Sequence, residues 1–257
     1  MTGAGWLRER LTLDRYPRSG QYDPQWIVDN AMGPNPLWLA EWLCADMALA
    51  PGMRVLDLGC GRAITSIFLA QEYGVLVTAA DLWIPPTENW PRIQAARCAD
   101  RIFPVYAEAH QLPFAERCFD AVISIDAYHY FGTDDMYIGY ITRFLRPGGL
   151  LGIAVPSVTA ELEGVPEHLR EYWDWDFLTF HRPEWWRARW TFSGQVEVLH
   201  ADALADGWRD WLRWDEACVA ASDRPFVKEG AAREAEALRL DAGRTLGLAR
   251  VIARRPS

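Results

Sequence analysis

A chain of 257 residues, half of them hydrophobic and 24% charged, has apolar side chains enough for one large α/β domain and lacks the composition of disordered, collagen-like or coiled-coil protein. Its 26 basic and 35 acidic side chains leave a net charge of −9, which opposes a general electrostatic grip on nucleic acid or anionic lipid. Five scattered cysteines, never in a CxxC pair, argue against a disulfide framework and a zinc site. With no leader-like start and no apolar run near the roughly 20 residues that span a bilayer, a cytoplasmic protein without metal or membrane partner is expected.

In chain order, residues 1–34 show Gly, Pro, Tyr and Trp without a period, and residues 1–50 form a candidate lid over whatever follows. Asn35-Pro36 reads as a cap and first helical turn, with Leu39, Trp42, Leu43 and Met47 on one face. Five short apolar runs then alternate with helical patterns: Arg54 to Leu58, Val75 to Ala80, Ile102 to Ala107, Ala121 to Ile125 and Leu150 to Val155. Runs of this kind predict strands of a parallel sheet covered on both faces. Helices are predicted over Ala63 to Tyr73, stopped by Gly74, and over Asp134 to Leu145, with Arg146-Pro147-Gly148-Gly149 as the turn into the fifth strand.

From Pro156 to Gly194 the chain is crowded with Trp, His and Glu and loses strand alternation, which suggests an insertion on the sheet rather than a second domain. A sixth strand is predicted at Val196 to Leu199, helices at Trp208 to Ala221 and Val227 to Leu240, and a seventh strand at Leu246 to Ala253. The 14 Trp residues fit either a thick aromatic core or an apolar cavity with polar fittings.

The stretch richest in chemistry is Val55-Leu56-Asp57-Leu58-Gly59-Cys60-Gly61, an apolar strand running into a glycine turn and a helix. Glycines let a backbone approach a ligand at the carboxyl end of a strand, where open α/β sheets bind. A dinucleotide site wants a third glycine where Ile64 stands, and a phosphate-cradling loop wants a Lys that is absent near Gly61. Asp57 in the motif suits a ligand carrying an ammonium group better than a diphosphate.

This run resembles the first motif of the Rossmann-fold, class I S-adenosylmethionine-dependent methyltransferases, and the similarity continues in order along Met53 to Val155. Asp81, closing the second strand, matches the acidic residue that in the family takes the ribose hydroxyls. Ala107-Glu108-Ala109-His110-Gln111-Leu112-Pro113-Phe114 resembles the third motif, which implies that Glu108 and Ala109 face adenine. Phe119 to Asp126 resembles the fourth, and Arg146 to Gly149 the turn before the fifth strand.

The resemblance implies a seven-stranded, mostly parallel sheet with helices on both faces, an aromatic-rich helical insertion over residues 156–194 capping the substrate, and residues 51–257 as the methyltransferase domain. It implies S-adenosylmethionine as cofactor, held by Asp57, Gly59, Cys60, Gly61, Asp81, Leu82, Glu108, Ala109 and Asp126. The expected reaction moves a methyl group to O, N or C of a small organic acceptor. His129, with Tyr128, is the expected general base at the end of the fourth strand, and His181 in the insertion is the expected acceptor-site partner. Nicotinamide-dependent oxidoreduction and cofactor binding without catalysis are the alternatives. Oligomeric state is left open.

Overall fold

Alternate strand residues feed two separate hydrophobic cores: Val55, Ala121 and Ile123 enter one, Leu56, Leu58 and Val122 the other. That period of two, sustained across neighbouring strands, is what a sheet buried on both faces requires. The computed structural model describes residues 3–257, so Met1 and Thr2 of the candidate lid lie outside the described residues. The strands are β1 (Arg54–Leu58), β2 (Leu76–Asp81), β3 (Ile102–Tyr106), β4 (Phe119–Ile125), β5 (Leu145–Val158), β6 (Glu197–Ala203) and β7 (Leu246–Arg254). They form one seven-stranded sheet of order β3-β2-β1-β4-β5-β7-β6, in which only β7 runs against the rest. The expected α/β, mostly parallel architecture is therefore present. The strand order reverses between β1 and β4, where open sheets of this kind leave a crevice.

The helices are α1 (Ala4–Leu11), α2 (Pro24–Asp29), α3 (Pro36–Cys44), α4 (Ile64–Tyr73), α5 (Pro86–Ala95), α6 (Tyr137–Ile141), α7 (Pro183–Ser193), α8 (Gly207–Ala221) and α9 (Pro225–Asp241). Side chains of α3, α4 and α8 fill the first core, and those of α6 and α7 the second. Among the described residues, no helix is long and apolar enough to cross a membrane.

Several expected boundaries move. The helix predicted to begin at Asp134 is confined to Tyr137–Ile141, because the Thr142 hydroxyl donates to the Ile138 carbonyl and the chain tightens into a 3-10 turn. The Arg146 to Gly149 turn is a bulge inside β5 rather than its start: Leu145 already pairs with Phe119, and the ladder resumes at Leu150 with Ala121. β5 also runs past Pro156 to Val158. The Ala154 carbonyl accepts from the Asp126 amide, so Pro156, two residues on, turns the same edge toward space beyond the end of β4, where a missing N–H costs no ladder bond.

β6 extends to Ala203 because its polar residues Glu197, His200 and Asp202 sit on the sheet's outer strand, where apolar alternation is not demanded. Helices α1, α2 and α5 were not predicted; α5 carries Pro91 inside it, a breaker signal that masked its buried Asn89 and Ile93. The 156–194 insertion is mostly irregular chain and 3-10 turns, with α7 as its one α-helix.

The aperiodic N-terminal stretch is packed down. Leu7, Leu11, Tyr16, Ile27 and Val28 are buried in the first core. A buried Glu41 on α3 pins it, accepting from the backbone N–H of Arg18 (2.9 Å) and Ser19 (2.7 Å) and from the Ser19 hydroxyl (2.6 Å). Glu41→Ala would orphan the buried Ser19 N–H while the Ser19 hydroxyl keeps the Leu37 carbonyl at 3.0 Å, and a loss of about 1–3 kcal/mol in denaturant unfolding is expected.

Candidate active site

A cavity of about 320 Å³ opens at the carboxyl ends of β1, β2 and β4, floored by Gly59, Cys60 and Gly61 and walled by Asp81, Leu82, Glu108, Ala109 and Asp126. Those eight expected cofactor residues thus come together. The glycine turn is held to β2 by the N–H groups of Gly59 and Cys60, both donating to the Ala80 carbonyl at 2.9 and 3.1 Å. Gly59 and Gly61 have φ of +73° and +51°, a region L side chains avoid. A Cβ at Gly59 would overlap Ala127, and one at Gly61 would lie 2.8 Å from the Met32 sulfur. The turn therefore presents bare backbone to the cavity.

Asp81 ties this turn to the next loop. One carboxylate oxygen accepts from the Gly61 amide at 2.7 Å, and the other accepts from Trp83 and Ile84 amides at 2.8 Å each. Glu108 is oriented by its neighbour His110, whose backbone N–H and ring Nδ1 each lie 2.8 Å from a carboxylate oxygen. Ile64, at the position of a third dinucleotide-site glycine, is itself part of the lining. A bulky branched residue there lacks the close backbone approach that a pyrophosphate needs at a helix start.

Asp57 departs from expectation: it is fully buried beneath the turn and does not reach the lining. Burial pushes its carboxyl up to about 7 against the pull of the Ser66 hydroxyl, which donates to it at 2.5 Å, so it braces α4 on β1. Asp126 does reach the cavity. It has φ of +53°, unusual for a residue with a side chain, and its carboxylate packs so closely on Gly33 that a Cβ there would overlap it. Burial pushes its carboxyl well above the usual range, with the charges of Glu234 and Asp176 adding to the effect.

The three expected catalytic side chains stand apart from the lining. Tyr128 is fully buried in an aromatic cluster with Tyr137, Trp186 and Trp190 on the far side of β4, and burial pushes its phenol up. His129 is 1% exposed, packed against Tyr130 and edge-on to Phe180. Burial pushes its imidazole down to about 3, which leaves it neutral near pH 7. His181 stacks flat on Trp185 at 3.7 Å and meets Glu161 at 3.0 Å, anchoring the start of α7. Trp186 and Trp190 are buried in that aromatic core, Trp185 and Trp190 also border a separate cavity of about 360 Å³, and Trp83, 67% exposed, stands at the mouth of the first cavity beside Tyr130.

Sequence reasoning missed several lining residues. Asn30, Met32 and Gly33 come from the N-terminal stretch, Arg62 follows the glycine turn, and Trp83 stands at the rim, beside Tyr130, which the end of the fourth strand does deliver to the site. The Gly33-Pro34-Asn35-Pro36 run was the available signal, since it rigidifies a backbone that passes beside the glycine turn. Among the described residues, no three His, Cys, Asp or Glu side chains converge as metal ligands.

Residues 55–149 match a family model described as a methyltransferase domain. That central stretch is thus similar to a methyltransferase domain. It is 33% identical over 138 residues to the 27-O-demethylrifamycin SV methyltransferase of Amycolatopsis mediterranei, covering 52% of this chain and 50% of that one. The chain spans about half the length of the curated relatives it matches, 50% and 46% for two of them. Phosphoethanolamine N-methyltransferase 2 of Haemonchus contortus, solved with S-adenosyl-L-methionine, superposes with a TM-score of 0.73 at 20% identity over 98% of this chain and 60% of that one. The [4+2]-cyclase SpnF superposes with a TM-score of 0.69 at 20% identity over 89% and 84% of the two chains. A cyclase beside a methyltransferase at equal identity means that the methyltransferase fold alone does not assign an activity to this chain.

A neutral, enclosed His129 adds no titration near neutrality. The His129→Gln variant is expected to show the same pH–rate profile between pH 5 and 8 as the parent; a limb that disappears in the variant would return the imidazole to the reaction.

Proposed function

We propose that this chain transfers the methyl group of S-adenosylmethionine to a small organic acceptor. One observation carries the reading: a bare glycine turn is flanked by the carboxylates of Asp81, Glu108 and Asp126, with Arg62 the one guanidinium in the lining. Two carboxylates, and a third carboxyl at Asp126 that a bound cation would help to ionise, against one guanidinium favour a positively charged amino-acid nucleoside and disfavour a diphosphate. Asp81, already aligned by three backbone amides, has lone pairs left for a vicinal diol. Glu108 and the Ala109 backbone would take the adenine edge, and Arg62 the carboxylate of the amino-acid half.

When bound, the cofactor supplies an electrophilic methyl group that an acceptor displaces in line, so the chain's own task is to orient, exclude water and manage a proton. Residues 156–194 are read as the cap on the acceptor side, with Asp176 receiving the Tyr130 hydroxyl at 3.1 Å, and residues 1–50 as the wall opposite. His129, Tyr128 and His181 support that acceptor side by packing, and Asp126 is the ionisable group placed to meet the reacting atoms. Five free cysteines agree with a reducing, cytoplasmic setting. Neither nucleic acid nor membrane has a part in this reading.

Asp81→Ala removes a charged acceptor and is expected to weaken S-adenosylhomocysteine binding by about 1.5–3 kcal/mol, roughly 10- to 100-fold, in titration calorimetry. Unchanged affinity would take Asp81 out of the site.

A further inference from the structure

Helix α5 contributes no residue to the cavity lining, yet two of its side chains reach the turn that floors it. Asn89, 1% exposed, donates its amide N–H to the Gly61 carbonyl at 2.9 Å and accepts from the Arg92 guanidinium at 2.7 Å. Arg92, three residues on and so on the same face of α5, donates its Nε–H to the Arg62 carbonyl at 3.0 Å. Two successive carbonyls of the turn are therefore drawn toward α5.

A peptide unit is planar and trans, so the Arg62 N–H points opposite to the Gly61 carbonyl and away from α5. Among the described residues that N–H has no acceptor. The next residue, Ala63, is buried with φ of +61°, a left-handed conformation that is costly for a side chain with a Cβ and persists only where neighbouring contacts enforce it. The two bonds from α5 supply that enforcement, together with the Ala63 N–H donating to the Cys60 carbonyl at 2.9 Å.

The Arg62 side chain is fixed from the other side. Its Nε–H donates to the Asn30 side-chain oxygen at 3.1 Å, and Asn30 is tied back to the Trp26 carbonyl at 2.8 Å. One bond at Nε holds a rigid, planar guanidinium and leaves both terminal NH2 groups without an acceptor among the described residues. Arg62 and Asn30 both line the cavity. A chain of hydrogen bonds thus runs from α5 through the glycine turn to the N-terminal wall, and at its centre stand one unpaired guanidinium and one unused backbone donor. A guanidinium fork beside an N–H is a donor set for a carboxylate. A doubly charged phosphate is disfavoured by the Asp81 and Glu108 carboxylates of the same lining.

We infer that Asn89 and Arg92 are positioning residues for the cofactor: through the backbone of Gly61 and Arg62 they hold Arg62 for the carboxylate of the amino-acid half. The chain thereby selects the complete amino-acid nucleoside over the nucleoside thioether alone. This inference rests on the methyl-transfer reading above and adds to it two residues that touch no ligand.

The test is titration calorimetry on the full chain with S-adenosylhomocysteine and with 5′-methylthioadenosine, which keeps the nucleoside and the thioether and lacks the carboxylate. The parent is expected to bind S-adenosylhomocysteine at least ~10-fold more tightly. Arg62→Met is expected to weaken S-adenosylhomocysteine ~10- to 100-fold, and Arg92→Met and Asn89→Leu ~10-fold each, with 5′-methylthioadenosine within about twofold of the parent throughout. The Arg62→Met, Arg92→Met double variant should bind no more weakly than Arg62→Met alone, because Arg92 acts through Arg62. Arg92→Lys keeps the charge without the planar two-bond geometry and is expected to behave as Arg92→Met, which separates alignment from net charge.

A variant at 89 or 92 that loses both ligands alike gives that residue to the turn as a whole and overturns the inference. So do unchanged S-adenosylhomocysteine affinity in Arg92→Met, additive losses in the double variant, full rescue by lysine, or a parent indifferent to the carboxylate. In each of these cases S-adenosylhomocysteine binding by the parent leaves the methyl-transfer reading in place. A parent that binds no S-adenosylhomocysteine defeats that reading, and the inference falls with it.

Discussion

The Asp81 carboxylate joins the two loops on which the cavity is built. Its three backbone hydrogen bonds reach the glycine turn after β1 through Gly61 and the loop after β2 through Trp83 and Ile84. Charge-assisted bonds of this kind are stronger than neutral ones, and here they cross-link neighbouring parallel strands at their carboxyl ends. The turn cannot slide against the loop without breaking them. Asn89 of α5 adds a fourth tie, donating to the Gly61 carbonyl at 2.9 Å. The floor and one wall are thus pre-formed, which lowers the ordering cost of binding.

The opposite wall is built differently. Asn30, Met32 and Gly33 are brought to the cavity by an N-terminal stretch that Glu41 clamps to α3, and Trp214 fixes Gly33 from the far side. Gly33 admits the Asp126 carboxylate because it has no side chain, and Asp126 can reach it because its backbone takes a left-handed conformation. Strain at one residue and a missing Cβ at another aim an unpaired carboxylate into the cavity. Such costs persist where the surrounding structure enforces them, and they concentrate at functional sites.

Much of this was legible before any coordinates. Each of the first five strands is an apolar run bounded by turn residues; in β1, β2, β4 and β5 local pattern and buried sheet agree, whereas β3 stands at the sheet edge with Phe103 and Tyr106 exposed, and the glycines, Asp81 and Glu108 were found from their order along those strands. Asp57, two positions before Gly59, points beneath the turn instead of into the cavity, a direction the motif alone does not encode. His129 and Tyr128 follow β4 closely, yet the chain enters a 3-10 turn there and buries both, whereas Tyr130 emerges at the rim. β6 and α5 were blurred or missed where edge position and internal proline removed the usual pattern.

The most direct measurement is a crystal structure of the chain with S-adenosylhomocysteine bound. The account predicts ribose hydroxyls on Asp81, adenine beside Glu108 and Ala109, and the sulfur facing Asp126 across the bare turn. A ligand bound elsewhere, or a pyrophosphate-containing nucleotide seated on Gly59–Gly61 in its place, would contradict it.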